Sequence, residues 1–141
     1  MQEMTADERR AFLVHGTRTA KVATVRPDGR PHIAPVWFVL DGDTVVFTTG
    51  AETVKGRAIR RDPRVSLLVD DETPPFAYIL VEGTAEVGED LADLLRWATL
   101  IGGRYMGADR AEAFGRRNAV PGELLVRVTP TKTVARTGIA D

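Results

Sequence analysis

"RTAKVATVRPDGRPHIAPVWFVLDGDTVVFTTG", residues 18–50, decides how the chain folds. Residues 18–26 alternate small and β-branched side chains, the period of a half-buried strand. "PDGR" (27–30) and "DGD" (41–43) are turn signals, because Pro, Asp and Gly supply the dihedral angles that tight turns need. Residues 31–40 and 44–50 between and after them read as two further strands, so the stretch predicts a β-meander. Pro31 and Pro35 have no N–H to give to a ladder, which places the second strand at a sheet edge or a bulge.

Outward from this core the pattern continues. Thr5 with Glu8 three residues later is a capping-box signature at the start of a short helix. Residues 52–61 predict a helix that ends before Pro63, since proline disfavours helical geometry at Asp62. "RVSLLVD" (64–70) and "FAYILVEGTAEVG" (76–88) are strands, the second with a bend expected at Gly83. Residues 89–106 form the main helix, with Leu91, Leu94, Leu95, Ala98 and Ile101 on one stripe and Gly102-Gly103 read as its end. Trp97 and Tyr105 on it are expected in the core or at a subunit contact, or walling a substrate pocket. A short helix over 109–117 and a final strand or strand pair over 123–136 complete the chain. At least six strands with short turns and few helices predict a small closed or partly closed antiparallel barrel.

The composition narrows the function. The chain has 141 residues, the size of one domain, and is 43% hydrophobic, enough for a core. It lacks cysteine, so disulfides and thiolate metal sites are excluded, and His15 and His32 fall in different elements, so no metal site is expected. No run of eighteen apolar residues and no basic-plus-apolar leader occurs, which predicts a soluble, cytoplasmic protein away from membranes.

The chemistry concentrates in "VKGRAIRRDPRVSLLV" (54–69). Lys55, Arg57, Arg60, Arg61 and Arg64 crowd ten positions of a chain whose formal charge is only −1. Arg57, Arg60 and Arg61 share one helix face, and a solvated face is the simplest account of them. Lys55 differs. At 100° per residue it lies roughly 160° from Arg57, on the side of Ile59. It also occupies the first turn, where the helix dipole disfavours a cation. An anion bound there would use the free N–H groups, the dipole and the ammonium together. Thr48 and Thr49, before a glycine turn at Gly50, and Thr53 after it bring hydroxyls to the same place. No Walker loop is present. Nucleic acid is a poor fit, because no aromatic residue interleaves with these cations. Phe76 and Tyr78 open the long strand, where stacking on a cofactor competes with ordinary packing. The acidic cluster Asp70, Asp71 and Glu72 reads as a solvated turn. No Ser/His/Asp set is defensible, and no catalytic residue is assigned.

"DGRPHIAPVWF", "FTTG", "VKGRAIRRDPR" and "YILVEGTAEV", in that order over residues 17–88, resemble the pyridoxamine-phosphate-oxidase-like, split-barrel flavin and deazaflavin proteins. The resemblance implies a mainly β fold with flanking helices, a split β-barrel over 1–141. It further implies a homodimer with a cofactor in each of two interface clefts. A cofactor ring along Pro35, Val36 and Trp37 follows from it, with a phosphate at Thr48, Thr53 and Lys55, and Thr49 is a further cofactor-binding candidate. Arg57, Arg61 and Phe76 are added as cofactor contacts. The chain departs from the family's Arg-Asn-Leu at Arg57-Ala58-Ile59, so any contact of that asparagine is absent. "RRDPR" (60–64) and the short chain look most like the branch using coenzyme F420, with FMN as the rival. An F420-dependent oxidoreductase, most simply a reductase of a small organic substrate, is the implied activity. A cofactor-binding protein without turnover is the alternative.

Overall fold

The computed structural model describes residues 1–141. In chain order the elements are β1 (Gln2–Glu3), α1 (Ala6–Val14), β2 (Ala20–Val25), β3 (Pro31–Val36), β4 (Val39–Asp41), β5 (Thr44–Gly50), α2 (Val54–Arg61), β6 (Arg64–Asp71), β7 (Ala77–Gly88), α3 (Leu91–Met106), α4 (Ala111–Asn118) and β8 (Glu123–Thr137). A single 3₁₀ turn, Ala108–Arg110, joins α3 to α4. The capping box is present: the Thr5 hydroxyl accepts from the Glu8 N–H at 3.2 Å and the Glu8 carboxylate from the Thr5 N–H at 3.1 Å.

All strands join one antiparallel sheet in the order β3-β2-β6-β7-β8-β5-β4, with β1 added to β8. The ends of that order are β3 and β4, which are separated in sequence only by Trp37 and Phe38. The chain therefore steps from one edge of the sheet to the other across two residues. The sheet must curl until its edges are neighbours, yet they are not hydrogen-bonded to each other, which is a split barrel. This corrects two sequence expectations. Residues 31–40 are not one strand, and 18–50 is not a meander: β2–β3 and β4–β5 are separate hairpins at opposite edges. Pro31 and Pro35 sit in the edge strand, where a missing N–H costs no ladder bond.

Period-2 alternation fills the barrel. Val45 and Phe47 of β5, Leu67 of β6, Ile79 of β7 and Leu124 and Val126 of β8 point inward with Phe38 and with Ile59 of α2. Val46 and Leu125 point outward, where Leu94 and Trp97 of α3 cover them. Full burial of side chains such as Phe47 and Leu124 is worth about 1.5–3 kcal/mol each. The main helix therefore packs through Leu94, Trp97, Ala98 and Ile101, while Leu91 and Leu95 are exposed.

The bend expected at Gly83 is a register shift between Glu82 and Gly83 against β8. A Cβ on Gly83 would lie 2.6 Å from the Thr129 carbonyl oxygen, so only glycine fits there. Gly102-Gly103 does not end α3. The helix runs on to Met106 and stops at Gly107, whose φ is +98°. Gly102 instead lets α4 approach: a Cβ there would meet the Phe114 Cβ at 2.6 Å. Residues 123–137 form one long strand rather than a pair.

Candidate functional site

The site is assembled where β5 ends and α2 begins. Thr53 is the N-cap of α2. Its hydroxyl accepts from the Gly56 N–H at 3.0 Å and donates to the Gly50 carbonyl at 2.8 Å. A hydroxyl has one proton, so in the 3.2 Å contact between Thr49 and Thr53 the donor is Thr49. Both hydroxyls are thus committed to building the helix start. Gly56 makes the tight fit possible, since a Cβ there would lie 2.1 Å from the Gly50 oxygen. The first turn carries no acidic side chain. The N–H groups of Val54 and Lys55, ahead of the first intrahelical bond from Arg57, have no acceptor within the helix.

This helix start borders a cavity of about 250 Å³ lined by Pro35, Val36, Trp37, Thr48, Thr49, Gly50, Thr53, Lys55, Ile101 and Asn118. Seven residues expected at a site from the sequence are therefore brought together: Pro35, Val36, Trp37, Thr48, Thr49, Thr53 and Lys55. Lys55 is half-buried and makes no ion pair, unlike its neighbours on the helix. The Thr48 hydroxyl also has no intramolecular partner. The Thr48 hydroxyl, the Lys55 ammonium and the Asn118 amide, with the helix start beside them, are donors left for a ligand, and one side of the cavity is the apolar run Pro35–Trp37. Such a set suits an anionic group attached to a flat apolar body.

The remaining expectations do not converge on this cavity. Arg57 pairs with Glu52 through Nε at 3.1 Å and Nη2 at 2.5 Å, and Arg61 donates to the Val25 carbonyl. Phe76 lies elsewhere, in a shallow surface depression with Tyr78, Leu68 and Ile139. The density of cations is also lower in effect than the sequence implies. Arg57, Arg60 and Arg64 are each within 2.8 Å of a carboxylate, on Glu52, Glu89 and Asp62 respectively. Arg64 holds the Asp62 carboxyl down to about 2 by hydrogen bonding. Lys55 and Arg61 are the members of the cluster left without a carboxylate.

Further residues contribute that were not assigned to the site from the sequence, although Tyr105 was weighed as a pocket wall. Asn118, at the end of α4, and Ile101 reach the cavity from a part of the chain remote in sequence. Glu123 starts β8 beside Gly50, with its carboxylate 3.7 Å from where a Gly50 Cβ would be. Burial raises its pKa above the usual carboxylate value, and Lys55 opposes that rise. The third contribution is the end of α3, which holds the crossover. The Arg104 guanidinium donates to the carbonyls of Phe38, Leu13 and Gly16 at 2.6, 2.7 and 3.0 Å. The Tyr105 hydroxyl accepts from the Phe38 N–H at 3.1 Å and donates to the Arg18 carbonyl at 2.8 Å. Both peptide groups of a fully buried crossover residue are thereby satisfied by consecutive side chains of one helix.

A larger cleft, about 610 Å³, lies over β2, β6 and β7 and contains Asp62, Arg64 and Glu82. It has no helix start and its charges are of mixed sign, so it does not match the donor set above. No group of three or more metal-ligating side chains is present. No helix is long and apolar enough to cross a membrane.

Comparison with known proteins agrees with the split-barrel fold. The family model described as pyridoxamine 5'-phosphate oxidase matches residues 5–135. A conserved hypothetical protein from Mycobacterium tuberculosis is 29% identical, with a TM-score of 0.85 over 96% of this chain and 86% of that one. An F420 reductase is 30% identical, with a TM-score of 0.67 over 87% of this chain and 94% of that one. The heme storage protein HutZ from Vibrio cholerae, at 18% identity and a TM-score of 0.75 over 96% of this chain and 98% of that one, shares the fold. With its split barrel and a family match along nearly its whole length, the chain belongs to the pyridoxamine 5'-phosphate oxidase family, whose fold takes flavin-type cofactors.

Proposed function

We propose that the protein is an F420-dependent oxidoreductase, working as a reductase of a small organic substrate. The observation that carries this reading is the cavity at the start of α2. There an unpaired Lys55 and the Thr48 hydroxyl, beside the start of α2, line the same cavity as the Pro35–Trp37 wall. The chemistry that a deazaflavin supplies when bound is hydride transfer, and little acid–base help is asked of the protein. On this reading Lys55, Thr48 and the N–H groups of Val54 and Lys55 hold the cofactor phosphate, and Pro35, Val36 and Trp37 flank its ring. Thr49 and Thr53 act indirectly, by fixing the helix start. Resemblance to an F420 reductase at 30% identity favours the deazaflavin. The cavity accommodates a part of such a cofactor, in keeping with a homodimer in which a second subunit completes the cleft.

A specific observation favours FMN as the second reading. Three of the arginines that suit an acidic cofactor tail are already paired with carboxylates. The electrostatic advantage of the more anionic ligand is correspondingly smaller.

Side-by-side titration of the purified protein with F420 and FMN separates the two, with F420 expected to bind more tightly. Equal or tighter FMN binding would replace the F420 assignment, and binding of neither would remove the cofactor reading. Light scattering on the same sample should report about twice the 15.4 kDa chain mass.

A further inference from the structure

We infer that Tyr105 is a positioning residue for the ligand cavity, and that its ring and its hydroxyl do separable things. The ring places the Trp37 indole at the cavity wall. The hydroxyl holds the crossover together.

Trp37 occupies the two-residue step between opposite sheet edges, outside both flanking strands. The residue is 38% exposed, so packing in the barrel does not fix its indole. What it has is an aromatic neighbour on each helix. The Tyr105 ring lies parallel to it, 7° between planes and 5.0 Å between centroids. Phe114 of α4 lies 5.9 Å away, tilted by 48°. The absent Cβ of Gly102 is what lets Phe114 come this close to α3. A parallel, offset stack restrains an exposed indole more than area contact alone, because the ring quadrupoles favour that arrangement. Trp37 also lines the cavity with Lys55. A change in the Tyr105 ring therefore reaches the cavity through the indole.

The hydroxyl acts on different atoms. It accepts the Phe38 N–H and donates to the Arg18 carbonyl. Burial raises the phenol pKa, so the O–H stays protonated and available to donate. Tyr105→Phe deletes both hydrogen bonds and leaves the stack. Tyr105→Leu deletes both features.

The affinity arm of the test rests on the cofactor reading; a second arm does not. Wild type, Tyr105→Phe and Tyr105→Leu are titrated with whichever of F420 and FMN the wild type binds more tightly, and their melting temperatures are recorded. Tyr105→Phe should melt lower, since a buried N–H loses its acceptor, while keeping wild-type affinity. Tyr105→Leu should bind about tenfold more weakly, the upper range of an aromatic stack. Equal affinity losses in the two variants, or normal binding by Tyr105→Leu, would overturn the inference. The second arm is acrylamide quenching of tryptophan fluorescence in a Trp97→Phe background, which leaves Trp37 as the reporter. Quenching should rise in Tyr105→Leu and stay at the background level in Tyr105→Phe. If no flavin or deazaflavin binds, the cofactor reading fails and this arm alone decides. Unchanged quenching in Tyr105→Leu would then refute the positioning role.

Discussion

Replacing Lys55 with alanine isolates the one cation of α2 that faces the cavity. The ammonium forms no ion pair, so its removal breaks no salt bridge. Its position in the first turn opposes the helix dipole by a few tenths to about 1 kcal/mol. Its proximity to Glu123 works the other way, as the direction of the Glu123 pKa shift records. The two effects are small and of opposite sign, and folding stability should hardly change. Binding is a different matter. A hydrogen bond from an ammonium to a phosphate is worth about 1.5–3 kcal/mol, which is roughly ten- to a hundredfold in dissociation constant. The assay is a fluorescence titration of cofactor into Lys55→Ala beside a thermal melt. Arg60→Ala serves as the control, because Arg60 is on the opposite side of the helix and pairs with Glu89 at 2.8 Å; its affinity should match wild type. A Lys55→Ala protein that binds cofactor normally but melts several degrees lower would show that the lysine supports the fold, and the phosphate role of this helix would be withdrawn.

Two further predictions test neighbouring atoms. Ionised Glu123 competes with a bound anion for Lys55, so affinity should rise as pH falls through its titration, which lies above the usual carboxylate value. Glu123→Gln should tighten binding at neutral pH and flatten that dependence; a variant that keeps the wild-type slope would show that another group is responsible. The stability contribution has the sign of a raised acid: it is present below the unfolded-state pKa and is lost as pH climbs through the folded one. Gly56→Ala puts a methyl group 2.1 Å from the Gly50 oxygen, which should lower stability by about 2 kcal/mol or more. The matching fall in melting temperature is roughly 6–10 °C. A wild-type melt would contradict the close approach of α2 to β5.

The parts of this protein that were legible in the sequence are those fixed by local chemistry. Thr5 and Glu8 announce α1, Pro63 ends α2, and the runs 44–50 and 64–70 read as strands. Lys55 was singled out because its angular position on a helix follows from spacing alone. What the sequence hid is what depends on pairing over long distances. Nothing in "PVWFVL" (35–40) says that the chain leaves one sheet edge and joins the other, because a buried Phe38 reads the same in a strand as in a crossover. Gly102-Gly103 looks like a helix end until Phe114 is placed against it. The arginine cluster looked like a surplus of charge because Glu52 and Glu89 lie outside the quoted stretch, and only folding brings Glu89 to Arg60. Asn118 and Glu123 gave no signal, being ordinary residues at a helix end and a strand start.

The two-residue crossover also dictates an order of assembly. Hairpins β2–β3 and β4–β5 are local and need few residues to close. The Phe38 peptide groups between them find their partners on Arg104 and Tyr105, 66 and 67 positions later. Closing so long a loop carries an entropic cost that the local hairpins do not bear. During synthesis, a nascent chain that has emerged only as far as β7 already contains every strand of both hairpins together with Lys55, Thr48 and Trp37. It still has no means of pinning the step that sets them side by side. The cavity beside α2 is therefore a late product of folding, completed when the end of α3 docks.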